Sequence, residues 1–225
     1  MAWFVLAVII IASYLVGSIN GAVIISTANG GKDVRQEGSG NAGMTNMIRS
    51  RGVLPGLLTF IIDTSKGTVI CFIARLWVLP YVYSELGFSF LRPEYAVYFC
   101  AITCIIGHIY PIFFGFKGGK GVATTLGVGF ACCWQTAICG LAVFLIVFAI
   151  SRIVSLGSII TAFSLPIINF GFAVLDRVEG AENDVLIKVL LISIMSLSMI
   201  ITHRANIGRL IRGEEKKLVA KKKES

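Results

Sequence analysis

A loop rich in glycine and lysine is the part of the chain whose residue types point most directly to chemistry. It runs from Gly107-His108 through Pro111 to Lys117-Gly118-Gly119-Lys120-Gly121. Glycine lets the backbone turn so that successive N–H groups face one ligand, and lysine adds a full positive charge. A helix is predicted from Val122, so the positive end of its dipole would face the same ligand. The pattern predicts a phosphate site, although a basic loop at a membrane surface would have a similar composition.

Another polar loop is Gly38-Ser39-Gly40-Asn41-Ala42-Gly43-Met44-Thr45-Asn46 with Arg49 after it. It comes earlier in the chain, so it is called the first loop below, and the glycine-lysine loop is called the second. Its glycines disfavour regular helix, while its other side chains supply hydroxyls and amides. Arginine is suited to bidentate contact with phosphate, and serine and asparagine can complete the coordination. A flexible loop without a ligand is the alternative interpretation.

The third motif lies near the end of the chain, as His203-Arg204-Ala205-Asn206-Ile207-Gly208-Arg209-Leu210 followed by Gly213-Glu214. At helical spacing His203 and Asn206 share a face. The sequence contains two histidines, His203 and His108, and either is a candidate general base near neutral pH. A substrate phosphate oxygen is the alternative proton acceptor. Glu214 is expected to organise the tail, and the two arginines of the motif to face lipid headgroups.

The composition requires these loops to be positioned by membrane helices. Of the 225 residues, 56% are hydrophobic and 14% are charged, and the mean hydropathy is +0.85. Soluble domains carry about 25% charged residues. The net charge of +8 is divided among short loops, which argues against nucleic-acid binding. The six cysteines show no zinc-ligand spacing, so we expect no metal site and no cofactor.

The apolar segments predict one domain, residues 1–225, built as a compact all-α bundle of seven transmembrane helices with a basic tail from about residue 214. The uncharged stretch 122–150 is long for one span, and its polar break at Trp134-Gln135-Thr136 favours two short spans. Lysine and arginine in the loops place the N-terminus outside, and the C-terminus and all three motifs on the cytoplasmic side. The predicted spans are 2–28, 54–79, 95–107, two within 122–150, 156–175 and 185–201, with Pro80 to Pro93 as an outer loop.

Together, the three motifs resemble those of the bacterial membrane glycerol-3-phosphate acyltransferases that use acyl phosphate, the PlsY family. The family patterns are similar to Gly-Ser-x-Asn-x-Gly-Ala-Thr-Asn, to Gly-His-x-x-Pro with Phe-Lys-Gly-Gly-Lys-Gly-Val-Ala-Thr, and to His-Arg-x-Asn-Ile-x-Arg-Leu with Gly-x-Glu. Here they fall at residues 38–49, 107–124 and 203–214, in the family's order. Asp63-Thr64-Ser65-Lys66-Gly67 and Arg152-Ile153-Val154-Ser155 also resemble family segments. Met44 stands where alanine is usual, a change that removes no donor.

The resemblance implies acyl transfer from a fatty acyl phosphate to the 1-hydroxyl of glycerol 3-phosphate, without a covalent enzyme intermediate, in the bacterial cytoplasmic membrane. The implied partners are both substrates, the lipid bilayer and the peripheral enzyme that makes acyl phosphate. His203, Asn206 and Ser39 are the expected catalytic residues, and Asp63, Lys66 and Glu214 the structural or orienting ones. The expected phosphate-binding residues are Ser39, Asn41, Thr45, Asn46, Arg49, His108, Lys117, Gly118, Gly119, Lys120, Gly121, Ser155, His203 and Asn206.

Two other functions remain open from the residues. Polar loops at one face of short spans are also compatible with a gated organic-phosphate transporter. Against it, the sequence shows no convincing internal repeat and few charges embedded in the spans. A scaffold that binds lipid headgroups is the third alternative, but it would not need three polar loops converging on one side.

Overall fold

The computed structural model describes residues 1–86, 93–178 and 185–218, and within these ranges every regular element is a helix. Short 3-10 turns at Ala28–Gly30, Val34–Gln36 and Ile112–Phe114 and a π-helical stretch at Ala74–Val78 join the longer helices. The α-helices are α1 Ala2–Gly17, α2 Gly21–Thr27, α3 Met44–Arg51, α4 Val53–Ile73, α5 Leu79–Leu86, α6 Pro93–Ile109, α7 Val122–Cys132, α8 Trp134–Ser151, α9 Val154–Val178, α10 Val185–Thr202 and α11 Arg204–Ile211.

Several of these helices are long and apolar enough to cross a membrane. Within the described ranges they number five: Val53–Glu85, Tyr95–Phe114, Trp134–Ser151, Val154–Asp176 and Val185–Thr202. The pair α1 and α2 makes six if it forms one bent span, and α7 is a shorter apolar helix. The all-helical, multi-pass architecture is therefore confirmed, whereas the seventh span and the orientation of the termini stay predictions.

The uncharged stretch after the glycine-lysine loop is divided into two helices, in agreement with the split expected from its length. The break falls at Cys133, immediately before the polar triplet. Cys133 takes an extended backbone (φ −157°) between α7 and α8. Helix α7 begins at Val122, directly after Gly121, whose φ of +83° is the left-handed conformation that glycine adopts without strain.

Two predicted segments differ in the structure. The first span is bent by 44° between α1 and α2, because α1 ends at Gly17 and Asn20 caps the start of α2 by accepting from the N–H of Val23 (3.0 Å). The predicted outer loop from Pro80 is wrong for its first residues, since the helix continues to Leu86. Pro80 has no N–H to donate, and it follows the π-helical stretch Ala74–Val78, where the regular α-helical hydrogen-bond pattern is already interrupted. The rest of that loop, residues 87–92, lies outside the described ranges.

Glycines bring the helices around the site into close contact. A Cβ added to Gly127 of α7 would lie 2.0 Å from the carbonyl oxygen of Thr64 in α4. A Cβ on Gly107 of α6 would lie 2.2 Å from the carbonyl oxygen of Tyr14 in α1. Small residues let membrane helices approach until their backbones touch. These contacts fix α7 and the end of α6, and thereby the loop between them.

Candidate active site

One cavity of about 780 Å³ joins the three sequence motifs to the interior of the bundle. Its polar end is lined by the first loop, the start of α7, Ser155 and the segment around α11. Leu165, ten residues beyond Ser155 on α9, lines its other end, about 15 Å further along the helix axis. The apolar part of the lining comprises Leu126, Ala137, Leu141, Phe144, Leu145, Leu165, Ile192, Met195 and Met199.

Asn46, which is 1% exposed, holds the first loop in shape. Its Oδ1 accepts from the N–H of Ser39 (2.9 Å), and its Nδ2 donates to the carbonyls of Val34 and Glu37 (3.0 Å each). A primary amide has two hydrogens to donate, so none is left for a phosphate. Asn46, expected as a phosphate ligand, is thus a brace for the loop that presents Ser39 and Arg49 to the cavity.

In the glycine-lysine loop, the N–H groups of Gly118 and Gly119 are not available to cradle an anion. They donate to the carbonyls of Ile109 (3.0 Å) and His108 (3.2 Å) at the end of α6. A Cβ on Gly118 would lie 1.9 Å from the His108 oxygen, so the glycine permits this close approach. The loop instead contributes Lys120, Gly121 and the first residues of α7 to the cavity lining, and the first N–H groups of a helix have no partner within the helix.

Lys117 is exposed and does not line the cavity, contrary to the expectation of a phosphate contact. Its carbonyl accepts from Arg35 (2.9 Å), which also donates to the carbonyl of Phe114 (2.6 Å). Asp33 pairs with the same guanidinium (2.6 Å), and this hydrogen bond lowers the pKa of the Asp33 carboxyl. Arg35 therefore ties the turn just before the first loop to the second loop, a contact that the sequence motifs did not indicate.

Lys120 and the third motif form one hydrogen-bonded group in the cavity wall. The Lys120 ammonium donates to Oδ1 of Asn206, so both are fixed relative to α11. His203 Nδ1 lies 2.7 Å from the carbonyl oxygen of Met199. Because a carbonyl can only accept, Nδ1 carries the proton and Nε2 of the neutral ring is left as an acceptor.

Burial sets the charges of these groups. It lowers the pKa of the Lys120 ammonium to about 8, against the attraction of the Glu215 carboxylate. Burial also lowers the pKa of the His203 imidazole to about 4, and the nearby Lys120 charge acts in the same direction. At neutral pH the cavity therefore holds a cationic Lys120 and an uncharged His203.

Glu215, rather than the expected Glu214, is the acid that organises this end of the cavity. Its carboxylate accepts from Ser155 (2.8 Å), Asn206 (2.7 Å) and Arg209 (2.6 Å). Partial burial acts to raise the pKa of this carboxyl, but the three hydrogen bonds hold it below its usual value. Glu214 is exposed at the surface and pairs with Arg212 (2.7 Å).

A buried group of Asp63, Lys66 and His108 lies beneath the loops, and none of the three is more than 7% exposed. Lys66 Nζ is 3.1 Å from Asp63 Oδ1 and 2.9 Å from His108 Nδ1. The expected pairing of Asp63 with Lys66 is present, and the structure adds His108 to it. Asp63 and His108 line the cavity, whereas Lys66 lies behind them.

The arrangement combines cations and a helix start at one end with an apolar channel at the other, which suits an amphiphile with a phosphate headgroup. Comparisons with known proteins identify the family to which the chain belongs. The family model described as glycerol-3-phosphate acyltransferase matches residues 7–213. The chain belongs to this family.

Relatives named glycerol-3-phosphate acyltransferase match along nearly the whole chain. One from Endomicrobium trichonymphae is 40% identical over 95% of this chain and 96% of its own length. Another, from Ralstonia nicotianae, is 35% identical over 95% of this chain and 94% of its own length. The crystal structure of PlsY in its glycerol 3-phosphate form is 36% identical, with a TM-score of 0.74 over 95% of this chain and 96% of that one. Its lysophosphatidic acid form is 34% identical, with a TM-score of 0.73 over 94% of each chain.

Within this glycerol-3-phosphate acyltransferase fold, most of the residues singled out from the sequence meet at the cavity. Those that line it are Ser39, Asn41, Thr45, Asn46, Arg49, Asp63, His108, Lys120, Gly121, Ser155, His203 and Asn206. The predicted residues that do not line it are Lys66, Lys117, Gly118, Gly119 and Glu214.

Sequence reasoning missed two residues of the polar end, Arg209 and Glu215. Arg209 had been assigned to lipid headgroups, yet it lines the cavity and pairs with Glu215. The Gly-x-Glu spacing, counted from Gly213, falls on Glu215 and was the signal that could have identified it.

Proposed function

We propose that this protein transfers a fatty acyl group from acyl phosphate to the 1-hydroxyl of glycerol 3-phosphate. The products are 1-acylglycerol 3-phosphate and inorganic phosphate. The family membership supports acyl transfer to glycerol 3-phosphate. The two similar PlsY crystal structures are a glycerol 3-phosphate form and a lysophosphatidic acid form, which correspond to the proposed substrate and product.

One observation carries the proposal: a single cavity holds both the cations and the apolar channel. Arg49, Lys120 and Arg209 line its polar end, together with the start of α7. Two phosphate groups need several cations close together, because two dianions would otherwise repel each other strongly at low dielectric constant. The acyl chain would lie in the channel between α7, α8, α9 and α10, where each buried methylene contributes about 0.8 kcal/mol.

The chemistry we propose needs no covalent intermediate. The 1-hydroxyl oxygen attacks the acyl carbonyl carbon, a new ester bond forms, and the bond from that carbon to the phosphate oxygen breaks. The departing phosphate carries away the electron pair and takes the hydroxyl proton. His203 orients glycerol 3-phosphate by accepting a hydrogen bond at Nε2 from a group other than the attacking hydroxyl; with a pKa of about 4 it is a weak base at neutral pH.

The other expected residues fall into two groups in this scheme. Ser39, Arg49 and Lys120 bind the phosphates, whereas Ser155, expected as a phosphate ligand, donates its one hydroxyl hydrogen to Glu215 (2.8 Å). Asn206 fixes the Lys120 ammonium through Oδ1 and the Glu215 carboxylate through Nδ2. We place this polar end on the cytoplasmic face of the bacterial cytoplasmic membrane, where a peripheral enzyme can supply acyl phosphate.

We propose that no metal ion takes part, because the lysine and arginine side chains supply the positive charge that phosphates need. Treatment of the purified protein with a chelator should then leave its rate unchanged. Loss of activity on chelation, with recovery on adding Mg²⁺, would contradict this.

The deciding experiment measures lysophosphatidate formation by purified protein in lipid nanodiscs. Glycerol 3-phosphate is offered with palmitoyl phosphate, palmitoyl-coenzyme A or palmitoyl-acyl carrier protein. We expect product from palmitoyl phosphate alone, and a loss of at least tenfold in kcat/KM for Lys120→Met, since a hydrogen bond to a charged group contributes about 1.5–3 kcal/mol. Lys117→Met is the matched control, because Lys117 lies outside the cavity.

The alternatives give different results. Product from the thioesters would keep acyl transfer and refute the donor. No product from any donor, together with uptake of glycerol 3-phosphate into vesicles that contain the protein, would favour the transporter.

A further inference from the structure

Lys66 is buried behind the cavity wall, and its ammonium makes three contacts. It lies 3.1 Å from Asp63 Oδ1 and 2.9 Å from His108 Nδ1, and it also donates to the carbonyl oxygen of Ile19. Lys66 comes from α4 and His108 from the end of α6, so the contact crosses between two helices. The proposed reaction gives Lys66 no role, because it does not line the cavity.

The number of donors decides how His108 is protonated. A lysine ammonium has three hydrogens to donate and cannot accept. Two are used by the Ile19 carbonyl and the Asp63 carboxylate, and the third faces His108 Nδ1. Nδ1 must therefore present its lone pair, and the single ring proton of the neutral imidazole lies on Nε2. A doubly protonated ring would place an N–H against the Lys66 ammonium, which is paired with the Asp63 carboxylate at 3.1 Å.

The Nε2 edge of His108 lies where the first and second loops meet. A Cβ built on Gly119 would be 2.3 Å from His108 Nε2 and 2.7 Å from the carbonyl oxygen of Ala42. Gly119 thus leaves room for the ring, and Nε2 lies between the two loops that flank the polar end. His108 also lines the cavity, next to Lys120 and Gly121 of the same loop.

We propose that Lys66 is a positioning residue: it holds His108 in the tautomer with the proton on Nε2, so that this nitrogen donates to a phosphate oxygen of bound glycerol 3-phosphate. The identity of the ligand rests on the proposed function. Without Lys66, Nδ1 would carry the proton and donate to Asp63 Oδ1, which is 3.6 Å away. Nε2 would then present a lone pair to the phosphate and repel it.

The test is ¹⁵N NMR of histidine-labelled full-length protein in nanodiscs. The chain has two histidines, so a His203→Gln variant identifies the resonances of His108. The wild-type protein should show a protonated Nε2 and an unprotonated Nδ1, and adding glycerol 3-phosphate should shift the Nε2 signal. In Lys66→Met the proton should move to Nδ1, whereas Lys66→Arg, which still has donors, should keep it on Nε2.

Kinetics supply the second readout. In Lys66→Met the KM for glycerol 3-phosphate should rise roughly 10- to 100-fold, since a hydrogen bond to a charged group is replaced by a repulsion, with a smaller effect on kcat. Lys66→Arg should recover most of the affinity. Lys188→Met is the matched control, because Lys188 pairs with Asp176 (3.4 Å) and lies outside the cavity.

A wild-type protein with the His108 proton on Nδ1, or on both nitrogens, would overturn the proposal, as would a Lys66→Met variant with unchanged tautomer and KM. If Lys66→Met does not fold, the wild-type tautomer and its response to glycerol 3-phosphate decide. The proposed function can fail separately: with no turnover in any assay, a glycerol 3-phosphate shift of the His108 signal still supports this inference, and its absence refutes it.

Discussion

The Lys120 ammonium is buried, so its charge depends on pH in the working range. Its pKa of about 8 means that free enzyme loses this cation as the pH rises past that value. We expect kcat/KM for glycerol 3-phosphate to fall at alkaline pH. Lys120→Arg should remove this fall, because the guanidinium stays charged. A kcat/KM profile from neutral to alkaline pH tests this, and an identical fall in both proteins would assign it to another group.

Glu215 and its neighbour Glu214 provide a matched pair of acids. Glu215→Gln removes a carboxylate whose side chain is 6% exposed and which accepts from Arg209, Asn206 and Ser155. We expect it to lower the free energy of unfolding by about 1–3 kcal/mol, the cost of unsatisfied partners, and to lower activity. Glu214→Gln should change neither, since Glu214 is exposed. Thermal unfolding in detergent and the acyl-transfer assay measure both effects, and equal results for the two variants would contradict this assignment.

At the scale of single residues, the sequence predicted which side chains line the cavity, but it did not predict the hydrogen-bond partners of the backbone N–H groups. Ser39, Arg49, Lys120, His203 and Asn206 were identified from their types, and all line the cavity. The sequence could not predict that the N–H groups of Gly118 and Gly119 donate to carbonyls at the end of α6. These contacts depend on how the loop packs against that helix. Composition also could not separate Glu214 from Glu215, because both follow the end of α11 at Ile211, where no helical periodicity indicates which side chain faces inward.

Helix α7 carries Lys120's loop at its start and is held by close backbone contact with α4. In Gly127→Ala the new Cβ would lie 2.0 Å from the Thr64 carbonyl, so the two helices must separate. Overpacking of this kind costs about 1–3 kcal/mol, and we expect a lower unfolding temperature and reduced activity. Gly171→Ala on α9 is the control: nothing lies within 4 Å of its Cβ, so it should be neutral. Thermal unfolding of the two variants measures the contrast; equal destabilisation would rule out the packing explanation.

Helix ends were predictable where glycine or charge marks them. The starts of α7 at Val122 and α10 at Val185 agree with the expected bounds, and the end of α10 at Thr202 lies within a residue of the prediction. The bend at Asn20 and the helix through Pro80 were missed, since apolar composition is uniform across both and the backbone there is decided by neighbouring helices.

For the whole molecule, the distribution of lysine and arginine predicts the N-terminus outside and the C-terminus in the cytoplasm. A protease-cleavable tag at the C-terminus should be cut in inside-out vesicles and protected in right-side-out vesicles, and a tag at the N-terminus should behave oppositely. The two vesicle types are prepared from the same cells, so each serves as the control for the accessibility of the tag in the other. Cleavage of both tags in one vesicle type would mean an even number of spans.

The segment that follows α11 contributes Glu215 and Lys216 to the cavity lining: Arg49 donates to the carbonyl of Lys216 (2.9 Å), and the N–H of Leu218 donates to the carbonyl of Arg152 (2.9 Å). In chain order this segment comes after all the candidate membrane helices of the described residues. During synthesis, a nascent chain whose described membrane helices have been inserted still lacks Glu215 and the residues up to Leu218. The enzyme would therefore become competent only after this segment has been synthesised, and a premature stop before Glu215 would release a membrane-inserted but inactive protein.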